Sequence, residues 1–317
     1  MPRAGDAERG AALSIGLSAA IVAATPGEPR VLTVRIGYEP GEALPAGPLE
    51  EEHRTLEVGL RAWVERQTSQ RLGYVEQLYT FGDRDRVEDT LSGRALTVAY
   101  LALVREARPA GTEDAAWQNW YRYFPWEDWR EGEPGALSQI QERLRTWAQE
   151  AASEAERRLR GERISLAFPE AWHEEPVLER YELVYEAGLI AERWRDLERR
   201  PEGPVFGVPM AVDHRRILAT AIGRLRGKIK YRPVVFELMP PAFTLLQLQR
   251  TIEALSGVRL HKQNFRRTVE QHGLVEETGG MSAVMGGRPA RLVRFRREVL
   301  LERPAMRLRA GRRTSPP

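Results

Sequence analysis

The sequence predicts an α/β (α+β) protein of two units: a sheet-and-helix domain with a helical insertion, then a small basic domain of helices closed by a two-stranded hairpin. Three observations carry that expectation. Apolar, partly β-branched runs alternate with amphipathic stretches in the first third, which suits a layered α/β domain. At 317 residues the chain can build two cores. Charge is also split between regions: Asp213 to Arg313 holds 22 Lys+Arg against 8 Asp+Glu, a net of +14, and the rest holds 26 against 37, a net of −11. Such a split points to nucleic-acid contact on the basic side.

Composition narrows the class. Hydrophobic content of 42% and charged content of 29% are those of a globular protein. No apolar run approaches the ~20 residues that span a bilayer, so no membrane role is expected. The short run Ala11–Ala24 reads as a buried strand rather than a signal peptide. Cysteine is absent, which removes disulfides, thiolate metal sites and cysteine nucleophiles together and fits a cytoplasmic location.

Leu13–Ala24 and Arg30–Gly37 flank the turn signal Thr25-Pro26-Gly27 and predict two paired strands. From Leu49 to Gln70 the spacing of Leu56, Leu60, Trp63, Val64 and Gln67 predicts an amphipathic helix. Tyr74–Phe81 and Leu96–Val104 read as further strands. The region from about 111 to 200 opens with Trp117, Trp120, Tyr121, Tyr123, Phe124, Trp126 and Trp129. These aromatics are expected to pack against the core or a subunit interface, the alternative being a stacking platform for a base. Two helical stretches follow, about Ser138–Arg160 and Glu175–Glu198, and Pro201–Pro209 closes the region.

Asp213 then N-caps a helix over His214–Lys230, Thr244 caps a second through Ser256 with Gly257 ending it, and a third runs about His261–His272 before Gly273. Short strands at Leu274–Thr278 and Ala290–Phe295 enclose the glycine-rich loop Gly279–Arg288. Helix, turn, helix and two-stranded wing is the order of a winged helix-turn-helix. The reading helix of such a unit meets base edges with its N-terminal residues, here His261, Lys262, Gln263 and Asn264 followed by Arg266 and Arg267. Phe265 and Val269 are left for the core. Arg288 and Arg291 on the wing can neutralise phosphates or enter a minor groove. Thr244 stands at a helix N-terminus and joins Lys262, Gln263, Asn264, Arg266, Arg267, Arg288 and Arg291 as a candidate DNA contact.

Gly47 to Thr68 resembles the Nudix box, G-x5-E-x7-R-E-U-x-E-E-x-G-U, with most of its carboxylates gone. His53 stands for the first glutamate and reads as a surface residue. Arg61 matches, Ala62 replaces a glutamate, Trp63 keeps the apolar site, Glu65 matches, and Arg66 and Thr68 replace the last glutamate and glycine. Magnesium takes clustered oxygen ligands, and a guanidinium beside the metal position repels it. No catalytic residue and no metal site is therefore expected.

Longer strings carry a family resemblance: Tyr74-Val75-Glu76-Gln77-Leu78-Tyr79-Thr80-Phe81, Val98-Ala99-Tyr100-Leu101, Asp213-His214-Arg215-Arg216-Ile217-Leu218, Asn264-Phe265-Arg266-Arg267 and Gly287-Arg288-Pro289-Ala290-Arg291. They resemble Nudix-related transcriptional regulators of NAD metabolism, of the NrtR/NadQ type. The resemblance implies a Nudix-like α/β/α sandwich over residues 1–212 with an insertion at about 111–200, a winged helix-turn-helix over 213–300, and a flexible basic tail over 301–317. It implies a homodimeric repressor of NAD biosynthesis or salvage genes that binds double-stranded DNA. ADP-ribose or another NAD-related nucleotide would be its effector, with no cofactor. Arg35, Arg94 and Glu65 are the candidate effector contacts, Glu65 also reading as a salt-bridge partner on its helix. The alternatives are a Nudix-type pyrophosphohydrolase with an appended nucleic-acid module, and a winged module that recruits RNA or protein.

Overall fold

The computed structural model describes residues 14–25, 27–37, 41–82, 95–105, 114–231, 234–282, 289–296 and 298. Strand β1 (Ser14–Thr25) is buried along both faces, as a continuous run of small and β-branched residues favours. It turns through Gly27 into antiparallel β2 (Glu28–Arg35). Two short strands, β3 (Glu42–Ala43) and β4 (Ala46–Pro48), pair with β2 and β1. Helix α1 (Leu56–Thr68) follows, capped by the Thr55 hydroxyl, which accepts from Val58 N at 3.1 Å. Antiparallel strands β5 (Tyr74–Phe81) and β6 (Ala95–Leu103) complete the path, and β6 runs parallel to β1. The resulting order is β3-β2-β1-β6-β5.

Strand alternation divides the core between the two faces of the sheet. Leu17, Ala19, Ile21, Leu32, Val98 and Tyr100 meet Leu60 and Val64 of α1. Ala20, Val22, Val31, Ala99 and Leu101 face the opposite way, into a core shared with most of the helices that follow. This is the expected α/β/α layering.

The insertion contributes a strand that the sequence did not signal. Residues Ala115–Asn119 form β7, antiparallel to β2, with Leu32 opposite Trp117. A 3-10 turn, Trp120–Arg122, carries the chain over the sheet, and Trp120, Tyr123, Phe124 and Trp126 are completely buried beneath it. Packing, the leading expectation for this aromatic cluster, is what the structure shows. Each predicted long helix is broken in two. The first becomes α2 (Leu137–Gln149) and α3 (Glu154–Ala167), because Ser153 caps a new helix by accepting from Glu156 N at 3.2 Å. The second becomes α4 (Val177–Glu186) and α5 (Ala191–Asp196), divided at Gly188, whose φ of +70° suits glycine.

Helix α6 (His214–Tyr231) packs on α4, on β1, β5 and β6, and on α7 (Leu245–Ser256). Helix α8 (Lys262–Gln271) and the hairpin β8 (Val275–Met281) with β9 (Arg291–Phe295) finish the described chain. Phe243 bridges to Val293, tying the entry of α7 to the wing. The wing strand extends three residues beyond its predicted end. A register shift between Glu277 and Met281, with Gly279 at φ +77°, accommodates the excess.

His214 joins this helical layer to the sheet: its Nδ1 accepts from Leu44 N at 3.1 Å. Desolvation, with the Arg195 charge second, pushes the imidazole down to about 4. In the unfolded chain it titrates near 6.5, so between those values the unfolded state holds more protons. Stability is expected to fall as pH drops from about 6.5 toward 4, by on the order of 2 kcal/mol after allowing for partial exposure. Melting curves across that window check this, and His214→Asn is expected to flatten the dependence.

Candidate nucleic-acid interface and the degenerate box

Helix α8 divides its residues cleanly. Phe265 and Val269, one turn apart, are buried, while Lys262, Gln263, Asn264, Arg266 and Arg267 are exposed. Among the described residues no ion pair holds Lys262, Arg266 or Arg267. Three cations and two amides thus share one solvent-facing end of a helix whose N-cap, His261, makes no side-chain capping bond. That end offers unpaired backbone N–H groups and the positive pole of the helix to an anion.

Thr244 caps α7. It is 8% exposed, and its hydroxyl accepts from Gln247 N at 3.2 Å, while Gln247 Oε1 accepts from Thr244 N at 2.7 Å. This reciprocal capping box fixes the side chain at the start of α7 and leaves the hydroxyl proton to donate. Thr244→Ala is expected to cost about 1 kcal/mol of stability in urea unfolding.

On the wing, Arg291 Nη1 donates to Glu277 Oε1 at 2.5 Å, and Arg294 Nε donates to Glu276 Oε1 at 2.5 Å. The Arg291 side chain is 73% exposed. Such surface pairs are worth about 0–1 kcal/mol, so exchanging Glu277 for a phosphate costs little. Arg288 lies outside the described residues, as do the tail at 301–317 and Arg94.

The box helix is α1, and its residues have structural duties. Gly47 seats the indole of Trp63: a Cβ there would lie 2.2 Å from the ring, and Trp63 Nε1 donates to Pro48 O at 2.8 Å. Arg61 donates to Glu57 at 2.9 Å and to the carbonyls of Leu72 and Gly73, fixing the helix to the approach of β5. His53 is not a surface residue. Its side chain is 5% exposed, it packs against Gly59 of the helix, and its Nδ1 accepts from Glu50 N at 3.1 Å. The signal was available in Gly59, which leaves room for the ring. Arg66 lies over the Trp63 ring at 4.4 Å, and Glu65 accepts from Arg71 Nε at 3.1 Å. A divalent cation does not fit this set, since an imidazole, a methyl group, an arginine-bound carboxylate and a guanidinium stand where the motif has glutamates.

Of the candidate effector contacts, Arg35 and Glu65 do not converge. Glu65 sits on α1, which covers the face of Leu32. Arg35 is exposed at the end of β2, and alternation puts it on the side of Val31.

Sequence reasoning also missed a buried ionic centre. Glu127 is completely buried and accepts from Arg180 Nε at 2.6 Å and Nη2 at 2.9 Å, and from Arg226 Nη1. It joins α4, α6 and the segment after β7.

A family model described as the NrtR DNA-binding winged helix domain matches residues 235–295. The ADPR responsive transcriptional repressor NtrR of Acinetobacter baylyi is 44% identical over 86 residues, 27% of this chain. The chain spans 34% of that relative's length. Among solved structures, Shewanella oneidensis NrtR complexed with a 27mer DNA aligns with a TM-score of 0.54 at 21% identity, covering 90% of this chain and 94% of its own. A MutT/nudix family protein from Enterococcus faecalis aligns at 0.53 and 15%, covering 92% and 90%. At those identities the structures speak to fold alone. Residues 235–295 thus match the NrtR DNA-binding winged helix model, and the chain shares its fold with the NrtR and MutT/nudix structures.

Proposed function

We propose that this protein is a DNA-binding transcriptional repressor of NAD biosynthesis or salvage genes, controlled by ADP-ribose or a related nucleotide held in a Nudix-like domain that does not hydrolyse it. The observation that carries the DNA-binding half is α8, with its apolar residues buried and Lys262, Gln263, Asn264, Arg266 and Arg267 turned to solvent. Lysine and arginine donate to guanine or phosphate, and Asn264 and Gln263 match the donor–acceptor pair of adenine. The wing adds Arg291 and, beyond the described residues, Arg288. The reader extends over 213–300 and the sensor over 1–212, and α6, the reader's first helix, packs on α4 and on β1, β5 and β6 of the sensor. Two copies bind as a homodimer, because half-sites one helical turn apart need two reading helices at matching separation. The location is the cytoplasm.

The effector half draws support from the Acinetobacter relative, whose name calls it responsive to ADPR, and from a box whose polar residues already have partners within the fold. Of the candidate contacts Arg35, Arg94 and Glu65, Arg35 and Glu65 lie on opposite faces of the sheet and do not meet one nucleotide together. The test has two arms. ADP-ribose at about 100 times its dissociation constant stabilises a single-site protein by ~2.7 kcal/mol, so a clear rise in melting temperature is expected and a flat response counts against the effector. Incubation of ADP-ribose with the protein and Mg²⁺ is expected to release no product. Robust turnover lost in Glu65→Ala would establish the hydrolase instead.

A further inference from the structure

We propose that Arg130 and Arg259 are positioning residues that lock the turn between α7 and α8 to the β1–β2 turn of the sheet domain, so that the sheet sets the aim of the reading helix. The proposal rests on the DNA-binding reading above.

The end of α7 is held in a socket made by α6 and the segment that follows β7. Three carbonyls at that end are taken by donors from other elements. Tyr121 Oη donates to Ala254 O at 2.7 Å, Arg226 Nε to Leu255 O at 3.0 Å, and Trp129 N to Gly257 O at 2.7 Å. Helix C-terminal carbonyls ordinarily turn to water or to a local cap. Here the negative helix end is met by a guanidinium, which stabilises it electrostatically. The fit is close enough to demand glycine: Gly257 has φ +76°, and a Cβ on it would lie 2.4 Å from Glu127 O.

Beyond the socket, a chain of contacts runs to the reading helix. Arg130 Nη1 donates to Gly27 O in the β1–β2 turn, and its Nε and Nη2 each donate to Asp128 at 2.7 Å. The next link is Arg130 O, which accepts from Arg259 Nε at 3.3 Å, while Arg259 Nη2 donates to Glu131. Arg259 Nη1 reaches Glu253 Oε2 at 3.2 Å, and Glu253 Oε1 accepts from Leu260 N at 3.0 Å, two residues before α8 begins. Arg130 thus grips the sheet and Arg259 grips the turn. A displacement of the β1–β2 turn has a hydrogen-bonded route to the base-reading end of α8, through groups with defined partners throughout.

The test uses the full chain, which holds no cysteine and so accepts spin labels at two introduced ones. Glu52→Cys reports the sheet domain and Glu270→Cys reports α8; both positions are exposed. Pulsed dipolar spectroscopy, with labelled chain diluted into an excess of unlabelled parent, is expected to give one narrow distance distribution. Arg130→Ala and Arg259→Ala are each expected to broaden it or split it, at unchanged far-ultraviolet circular dichroism. Arg259→Lys, which keeps charge but loses the forked geometry, serves if an alanine variant fails to fold and is expected to broaden it as well. Duplex affinity without nucleotide is expected to stay within about threefold of the parent, while the fold-change caused by ADP-ribose collapses toward one. Unchanged distance distributions in the folded variants would overturn the lock. If ADP-ribose leaves the parent's DNA affinity unaltered, the effector reading fails instead, and the distances still decide the lock.

Discussion

Replacing Arg266 and Arg267 together by alanine is expected to lower duplex-DNA affinity by roughly 60-fold at about 0.1 M salt, if each meets one phosphate. The reason is counterion release. Each phosphate neutralised contributes about −0.9 to the slope of log affinity against log salt, so losing two contacts flattens that slope by about 2 units. Both side chains are exposed and have no ion-pair partner among the described residues, so the mutation removes charge from the interface without stripping support from the fold. Stability is expected to move by less than about 0.5 kcal/mol. Asn264→Ala behaves differently if Asn264 reads a base: it costs about 1–3 kcal/mol on the correct operator and little on random duplex. Fluorescence anisotropy across a salt series separates the two patterns. An unchanged slope in the double variant would show that α8 does not face the backbone.

Glu127→Ala is expected to be the most destabilising single substitution considered for this chain, on the order of 3–5 kcal/mol. The carboxylate stands between Arg180 and Arg226, and all three side chains are fully buried. Removing it leaves two guanidinium groups facing each other in a medium that hydrates neither. The remaining acceptors are carbonyls, among them His173 O at 3.0 Å from Arg180 Nη1 and Glu174 O at 3.0 Å from Arg226 Nη1, and these solvate the cations without neutralising them. A drop in melting temperature of about 10 °C corresponds to such a loss. Glu154→Ala, which breaks an exposed pair with Arg157 on α3, is expected to cost under about 1 kcal/mol. Equal effects from the two substitutions would mean that the buried centre carries no special weight.

Helices α7 and α8 were legible because Thr244, Gly257 and Gly273 mark their ends and Phe265 and Val269 mark the buried face of the second. Strands β1 and β2 were legible from apolar runs around a glycine turn. Strand β7 was not, because Ala115–Asn119 is short and its pairing with β2 spans more than eighty residues of chain, beyond the reach of any periodicity. The breaks within the insertion were missed because Ser153 and Gly188 sit among good helix formers. Glu127, Arg180 and Arg226 each read as one more charge in a chain that is 29% charged. Only tertiary contact distinguishes them from solvated neighbours. The solvent-facing residues of α8 were legible because they form one side of one helix. Arg35 and Glu65 were not placed correctly relative to each other, because the sequence does not relate the faces of separate elements.

The most direct measurement of the central claim is site-specific photo-crosslinking to a labelled duplex. Gln263→Cys on α8 and Leu166→Cys on α3, an exposed site outside the winged helix, would each carry a thiol-coupled aryl azide. The arrangement of α8 predicts strong crosslinking from position 263, suppressed by high salt, and only background from position 166. Background from 263, or equal yields from the two positions, would contradict the assignment of this helix as the part of the protein that reads DNA.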